Sequence, residues 1–427
     1  MVLDFKKLDP IFREIYCSSN DTVITTKIKR FENLIDKFKQ NFQEQGWQLF
    51  STPGRTEIGG NHTDHNHGRV LAASVNLDSI TVASKSGSNS IIMISEGYPD
   101  PFIVNLDQLE QVRDEKETTS AIIRGIAARF KQSGFHIRGF NAVVSSDVLP
   151  GSGLSSSASI EVLIATIFNY LFNDGKIPPQ TIAIIGQYAE NEYFGKPCGL
   201  MDQTTCAVGG IVTIDFKNPK EPIVKKINFD FSHQNYSLLV VDTGGNHADL
   251  TDDYASIPRE MKSVAQKFGA EVCREINYDD LIQKIKSLRP EVGDRAILRA
   301  IHFQDDNARV VKQVEALEKG DFQKFLSLVN ASGNSSFKWL QNIYTVKNVQ
   351  EQGVSLALAI TEKYISEIGE GACRVHGGGF AGTIQVFLPN AAVSEYIKLI
   401  ESVFGEGKAQ VLSIRPHGTI YLNQFLK

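Results

Sequence analysis

Three stretches of the chain carry residues whose types and spacing could do chemistry. The first is Val148-Leu149-Pro150-Gly151-Ser152-Gly153-Leu154-Ser155-Ser156-Ser157-Ala158, set between a strand-like run at 140–144 and an apolar helical run at 160–168. Its glycines let the backbone turn tightly and approach a ligand, and its serines add hydroxyl donors to the unpaired N–H groups of a helix's first turn. Such an end cradles an anion. The helix macrodipole contributes about 0.3 to 1 kcal/mol, so hydrogen bonds must supply most of the grip. No Lys-Ser/Thr pair follows, which excludes a Walker A loop, and the third glycine of a dinucleotide fingerprint is missing. A Gly/Ser turn with an N-cap and no ligand fits the same residue types.

The second stretch runs from Gly54 to Arg69 and holds four glycines, three histidines, two arginines and two carboxylates in 16 residues. That is too polar for a core segment and too rich in ligating groups for an idle loop. Carboxylates, amides and imidazoles offer the paired donors and acceptors that vicinal hydroxyls require, and glycine lets a loop fold over a ring. A transition-metal site on His62, Asp64, His65 and His67 is a competing reading. On an extended backbone His65 and His67 share one face and His62 and Asp64 the other, so convergence needs a turn. The third stretch, Gln187 to Gln203, reads as a helix stopped by Gly195 and Pro197. Glu190 could reach a metal held between phosphates, since Mg2+ takes only one or two protein oxygens. Asp202 follows a glycine turn that could aim it into a cleft, although two solvated carboxylates are the plainer reading. Cys198 in this stretch reads as a small packing residue rather than a reactive thiol.

The elements that must position these groups are legible from apolar spacing. Phe31, Leu34, Ile35, Phe38 and Phe42 put a helix across 24–45. Strands are expected at 70–84, 90–95 and 237–242, and a helix at 117–135. Helices are expected at 258–268, 278–288, 294–319, 321–332 and 354–368. Residues 373–387 give a glycine-rich turn running into a strand.

Composition sets outer bounds. At 427 residues the chain is long enough for two domains, and 42% hydrophobic with 22% charged residues is ordinary for a globular protein. A net charge of -5 argues against non-specific electrostatic binding of nucleic acid. Five cysteines without CxxC pairing fit a reducing cytoplasm. No run of eighteen apolar residues and no N-terminal apolar h-region occurs, so neither a membrane span nor a signal peptide is expected.

The loop resembles the phosphate-binding motif P-x-G-x-G-L-S-S-S-A of the small-molecule kinase superfamily that includes galactokinase, homoserine kinase, mevalonate kinase and phosphomevalonate kinase. Pro53, Gly54, Arg55, Gly60, His62, Thr63, Asp64 and Asn66 match the galactokinase signature P-G-R-V-N-L-I-G-E-H-T-D-Y-N. Ala189, Glu190, Gly195, Pro197, Cys198, Gly199, Met201, Asp202 and Gln203 match its A-E-H-x-x-x-G-x-P-C-G-I-M-D-Q stretch, and residues 375–383 keep the Gly and Phe skeleton of a third motif. The resemblance implies an α+β fold of two lobes, an N-terminal lobe like ribosomal protein S5 domain 2 over 1–215 and a ferredoxin-like C-terminal lobe with extra helices over 216–427. It implies ATP-dependent phosphorylation of the anomeric hydroxyl of galactose, with Asp202 and Arg55 catalytic. It further implies sugar contacts from Asn61, His62, Asp64, Gly199 and Tyr254, phosphate contacts from Gly151, Ser152, Gly153, Leu154, Ser155, Ser156 and Ser157, and Mg2+ on Ser157 and Glu190. The implied partners are the sugar and ATP, with no nucleic acid or membrane, on a cytoplasmic monomer.

Departures from the pattern carry their own expectations. The family glutamate that contacts the C6 hydroxyl is Asn61 here, the tyrosine is His65, and Glu57 stands in place of asparagine. Two carboxylates 4 Å apart repel by about 4 kcal/mol at an effective dielectric near 20, and Asn61 would remove that repulsion toward a C6 carboxylate such as that of galacturonate. Glu57, four residues upstream, could instead restore a C6 contact, which keeps galactose first. A non-catalytic galactose and ATP sensor is the other class of function; the intact serines of the loop and Asp202 favour an enzyme.

Overall fold

The computed structural model describes residues 5–42, 46–148, 153–196, 198–245 and 250–426. In chain order the first half runs α1 (Asp9–Ile15), α2 (Asp21–Asn41), β1 (Gln48–Gly59), β2 (Arg69–Lys85), β3 (Ser90–Ser95), β4 (Phe102–Asn105), α3 (Thr119–Gln132), β5 (Phe140–Ser146), α4 (Ser156–Phe172), α5 (Pro179–Tyr188) and α6 (Met201–Val208). The second half runs β6 (Ile211–Asp215), β7 (Ile223–Ile227), β8 (Tyr236–Asp242), α7 (Thr251–Gln266), α8 (Tyr278–Val292), α9 (Asp294–Glu318), α10 (Phe322–Ser335), α11 (Gly353–Ile368), β9 (Ala372–His376), β10 (Thr383–Pro389), α12 (Asn390–Phe404), β11 (Ala409–Leu412) and β12 (Ile420–Tyr421). Helix and sheet are mixed throughout, as expected of an α+β chain.

Apolar period translates into these elements with few exceptions. α2 buries Ile24, Phe31, Leu34, Ile35 and Phe38 and begins after Asn20, whose side chain accepts from the Thr22 N–H. The main departure is α7, which starts at Thr251 and runs through Pro258 instead of beginning there. Proline favours a first turn, so the sequence reading opened the helix too late; burial of Ser256, Ile257 and Met261 carries the helix across it.

The chain forms two compact units, residues 1–55, 74–210 and 414–427 in one and residues 56–73 and 211–413 in the other. Two contiguous lobes meeting at residue 215 were expected. The units divide near 210, with segments 56–73 and 414–427 exchanged. Strand length is one cause: β1 and β2 are 12 and 17 residues long, and each is divided between the units. The C-terminal segment is captured by the first unit through pairing of Phe50 with Tyr421 and Ser51 with Ile420. Buried Arg415 donates to the Ser51 hydroxyl at 2.7 Å and faces the buried Asp78 carboxylate, which Arg30 and Tyr16 also contact. Burial opposes ionisation of Asp78, but Arg30 and Arg415 outweigh it and hold the carboxyl below its usual range.

In the first unit the strand order is β12-β1-β2-β5-β3-β4, with β3 parallel to β5. α1 and α2 set Phe12, Phe31 and Phe38 into a core with Leu49, Ile80, Val82 and Val143. In the second unit Arg69 to Ala73 of β2 pair with β6, which pairs with β7, while β11-β8-β10-β9 make an antiparallel sheet. One apolar cluster lies among the helices around Met261, Ile297 and Phe303, and another joins Val241, Ile384 and Val386 of the sheet to Leu358 and Tyr396. No helix among the described residues is long and apolar enough to cross a membrane.

Candidate active site

The glycine-serine loop enters α4 as the sequence predicts. Gly151 and Ser152 lie outside the described residues. From Gly153 onward the backbone is left-handed at Gly153 and Ser155, with φ of 74° and 56°, and the helix begins at Ser156. A left-handed serine costs on the order of 1 kcal/mol or more and marks a conformation held for use. The loop is seated on β1: the Leu154 carbonyl accepts from the Arg55 N–H at 3.0 Å. A Cβ on Gly54 would stand 2.9 Å from that same carbonyl oxygen, so glycine ahead of Arg55 permits the approach.

Arg55 and Asp202 meet as a fork on a carboxylate. Nε donates to Oδ1 and Nη2 to Oδ2, each at 2.7 Å, a bidentate pair that fixes both side chains. The Ser155 hydroxyl also donates to Asp202 Oδ2, and Arg55 donates to the Gly153 carbonyl. Arg55 is buried, while the Asp202 side chain keeps 27% of its surface exposed. Burial works against the Asp202 charge; the charge and hydrogen bonds of Arg55, with the Ser155 hydrogen bond, outweigh it and hold the carboxyl below its usual range.

Glu190 lies on a single π-helical turn, Ala189–Phe194, that continues α5 and ends at left-handed Gly195. Such turns widen the helix locally and recur at functional sites. The Ser157 hydroxyl donates to Glu190 Oε1 at 3.3 Å, so the two expected metal donors are together. A hydroxyl and a carboxylate are hard oxygen donors, and the pair suits Mg2+ whose remaining positions go to phosphate and water. Two partners escaped the sequence reading. Gln203 Nε2 donates to both Glu190 Oε2 and Glu161 Oε2 at 2.9 Å, and Lys196 Nζ stands 3.7 Å from Glu190 Oε1. The signal for Glu161 was an acid inside an apolar helical run. Burial, then the neighbouring Glu190, pushes its carboxyl well above the usual range. The Cys198 thiol is pushed up by burial and by Glu190, which leaves it unreactive. Gly199 sits in the turn before α6.

In the second unit, residues 60–68 form a closed loop. The Thr63 hydroxyl lies 2.8 Å from the Gly60 carbonyl and 2.6 Å from that of Arg69, across the neck of the loop. α9 anchors it: Asp306 accepts from the Asn61 N–H, His302 Nε2 is 2.9 Å from the Asn61 carbonyl, and Asn307 accepts from the Arg69 N–H. The glycine-rich turn between β9 and β10 grips it by two carbonyls and holds Tyr254 of α7 by the next. Gly377 accepts from Asn61 Nδ2, Gly378 from His62 Nε2, and Gly379 from the Tyr254 hydroxyl, at 2.8, 2.9 and 3.0 Å. A carbonyl only accepts, so His62 carries its proton on Nε2. Burial, with His65 next, lowers its pKa to about 4, and the ring is neutral. Asp64 begins a tight turn and takes the His65 N–H on Oδ1, with its side chain 14% exposed.

Two expectations about the sugar loop need correction. Asn61 is fully buried, and its amide uses all four hydrogen-bonding positions inside the protein: Nδ2 donates to Glu57 and Gly377, and Oδ1 accepts from Ser336 and Asn342. It supports the loop from beneath, so neither a sugar contact nor a pocket for a C6 carboxylate can be built on it. Glu57 is likewise engaged, its Oε1 accepting from buried Arg374 at 2.7 Å and from Asn61 at 2.9 Å. Arg374 lies far along the chain, as do Ser336, Asn342 and Gly377 around Asn61, which is why spacing concealed them. No group of three or more His, Cys, Asp or Glu among the described residues is placed to hold a metal ion.

The structure thus brings Arg55, Gly153 to Ser157, Glu190, Gly199 and Asp202 into the first unit, and His62, Asp64, Tyr254 and the glycine-rich turn into the second. Known proteins divide along the same motifs. Residues 36–85 match the galactokinase galactose-binding signature and residues 121–210 the GHMP kinases N terminal domain. A galactokinase of Glaesserella parasuis is 31% identical over 376 residues, spanning 85% of this chain and 91% of the relative. A galactokinase of Homo sapiens is 29% identical, spanning 86% of this chain and 90% of the relative. Among solved structures, a Lactococcus lactis galactokinase complexed with galactose superimposes with a TM-score of 0.78 at 23% identity, covering 91% of this chain and 99% of that one. A mevalonate kinase shares the fold at a TM-score of 0.60 and 16% identity, covering 86% and 98%.

Proposed function

The chain belongs to the galactokinase family of GHMP kinases, and from that premise and the geometry above we infer that it transfers the γ-phosphoryl group of ATP to the anomeric hydroxyl of galactose. The observation that carries this reading is the Arg55 fork on Asp202, closed by Ser155 from the phosphate loop. The anomeric oxygen attacks the γ-phosphorus, the bond to the β,γ-bridging oxygen breaks, ADP leaves, and the hydroxyl proton passes to Asp202. An aspartate paired with arginine has a pKa about 1 to 3 units low and is a weak base. Asp202 therefore acts chiefly by accepting the hydroxyl's hydrogen bond and aligning its oxygen. The transition state is loose and multiply charged, so alignment and charge stabilisation carry most of the rate. Arg55 keeps Asp202 ionised and stabilises the transferring group, while the turn from Gly153 to Ser157 and the α4 N-terminus hold phosphate oxygens.

Ser157 and Glu190 would hold Mg2+, which neutralises phosphate charge when bound. His62, Asp64, Gly199 and Tyr254 would hold the sugar; neutral His62 and the Asp64 carboxyl group present acceptors to ring hydroxyls. The N-terminal lobe would correspond to ribosomal protein S5 domain 2 and the C-terminal lobe to a ferredoxin-like core with added helices. None of the five cysteines forms a disulfide, which supports a reducing compartment such as the cytoplasm. The test is ADP release from MgATP with galactose or galacturonate, with Asp202→Asn as control. Turnover with galactose that Asp202→Asn abolishes is expected. Turnover with galacturonate alone would overturn the substrate, and activity retained in Asp202→Asn would remove that residue from its role.

A further inference from the structure

We propose that Glu161 is a positioning residue for the carboxylate of Glu190, acting through the Gln203 amide. The inference rests on Ser157 and Glu190 being the metal donors. Gln203 Nε2 has two N–H groups, and both are directed at carboxyl groups, one to Glu161 Oε2 and one to Glu190 Oε2, each 2.9 Å away, with Cys198 Sγ a longer contact at 3.6 Å. That fixes one oxygen of Glu190 and leaves Oε1 beside the Ser157 hydroxyl at 3.3 Å. Glu161 follows Ser157 by four residues on α4, so one helix face presents both a metal donor and the anchor for its partner.

Burial makes the arrangement specific. Glu161 and Gln203 are fully buried and Glu190 is 3% exposed. The fold has no need of an acid there, because an apolar side chain would pack at α4 without desolvation. Among the described residues Glu161 Oε1 and Gln203 Oε1 have no hydrogen-bond partner. Gly186 on α5 makes the room: a Cβ there would come within 3.3 Å of both Glu161 Oε2 and Gln203 Cγ. If the acceptor at Glu161 is removed, the amide keeps one N–H with only the weak acceptor Cys198 Sγ, 3.6 Å away, and loses the contact that holds it toward Glu190.

The experiment measures Mn2+–ADP binding by electron paramagnetic resonance, without turnover, and galactose binding by calorimetry. The full chain carries Glu161→Leu, Glu161→Gln, Gln203→Met or Glu190→Gln. Glu161→Leu and Gln203→Met are expected to weaken Mn2+–ADP about tenfold to a hundredfold, the usual effect of losing an outer-shell partner, with galactose affinity unchanged. Glu161→Gln, which keeps an acceptor oxygen, is expected to restore most of that binding. Wild-type Mn2+–ADP affinity in Glu161→Leu and Gln203→Met would overturn the inference, as would equal weakness in Glu161→Gln or a parallel loss of galactose binding. If Glu161→Leu does not fold, Gln203→Met and Glu161→Gln decide by the same readings. Unchanged affinity in Glu190→Gln would overturn the metal-donor reading and the inference with it, whereas the earlier outcomes sink the inference alone.

Discussion

Removing Arg55 leaves Asp202 with burial as the dominant influence on its charge, and burial favours the protonated acid. Arg55→Ala should therefore raise the pH at which activity is lost on the acid side by about 1 to 3 units or more, read from kcat/KM against pH. The sign follows from the depressed carboxyl: it is ionised above its lowered pKa, and function fails as pH falls through that value. Asn61→Asp makes the opposite kind of error. It removes the donors to Glu57 and Gly377 and buries a second carboxylate beside the first. A loss of about 3 to 5 kcal/mol is expected in denaturant unfolding, the cost of an uncompensated buried charge. Arg55 and Asp202 were singled out in the sequence because the motifs they stand in resemble those of a known family. Asn61 was not, because Ser336, Asn342 and Gly377 complete its hydrogen bonds from distant parts of the chain.

At the scale of elements, the closed loop 60–68 and the glycine-rich turn act as one device. Gly60 has φ 83°, and a Cβ there would meet the Arg69 carbonyl oxygen at 2.3 Å. Gly60→Ala should cost roughly 1 to 3 kcal/mol and lower galactose affinity while Mn2+–ADP binding persists, read by calorimetry with each ligand. The same loop imposes a pH dependence on stability. His62 has a pKa lowered from 6.5 to about 4, with burial the main cause. As pH drops from about 6.5 toward 4 the unfolded chain takes up a proton that the native imidazole refuses, so stability falls across that window. The buried ring of His302 is shifted in the same direction. Melting temperature should therefore decline between those pH values in wild type and decline less in His62→Gln. Strand and helix positions were readable because apolar period is a local property. The start of α7 was not, since Pro258 imitates a first turn and only packing carries the helix through it.

For the whole molecule, the residues proposed for phosphate lie in one unit of an interleaved chain, and those proposed for the sugar, Gly199 apart, lie in the other, so each ligand should stabilise chiefly through its own residues. A ligand at 100 times its Kd adds about 2.7 kcal/mol to the native state. Galactose should raise the melting temperature of wild type, and Asp64→Ala should abolish that rise while leaving the rise with Mn2+–ADP, both followed by thermal unfolding. Residue chemistry and spacing along the chain were enough to place a glycine-serine loop at a helix N-terminus, and the resemblance of its motifs implied the α+β class and the kinase family, because a turn, an N-terminus and a motif are properties of contiguous residues. Tertiary structure alone assigned segments 56–73 and 414–427 to their units and directed the glycine-rich turn to the sugar loop. It also withdrew Asn61 and Glu57 from the C6 question and joined Glu161 to Glu190 through Gln203. Each of these depends on which side chain completes another's hydrogen bonds or neutralises its charge, and such partners are chosen by packing between residues far apart in sequence.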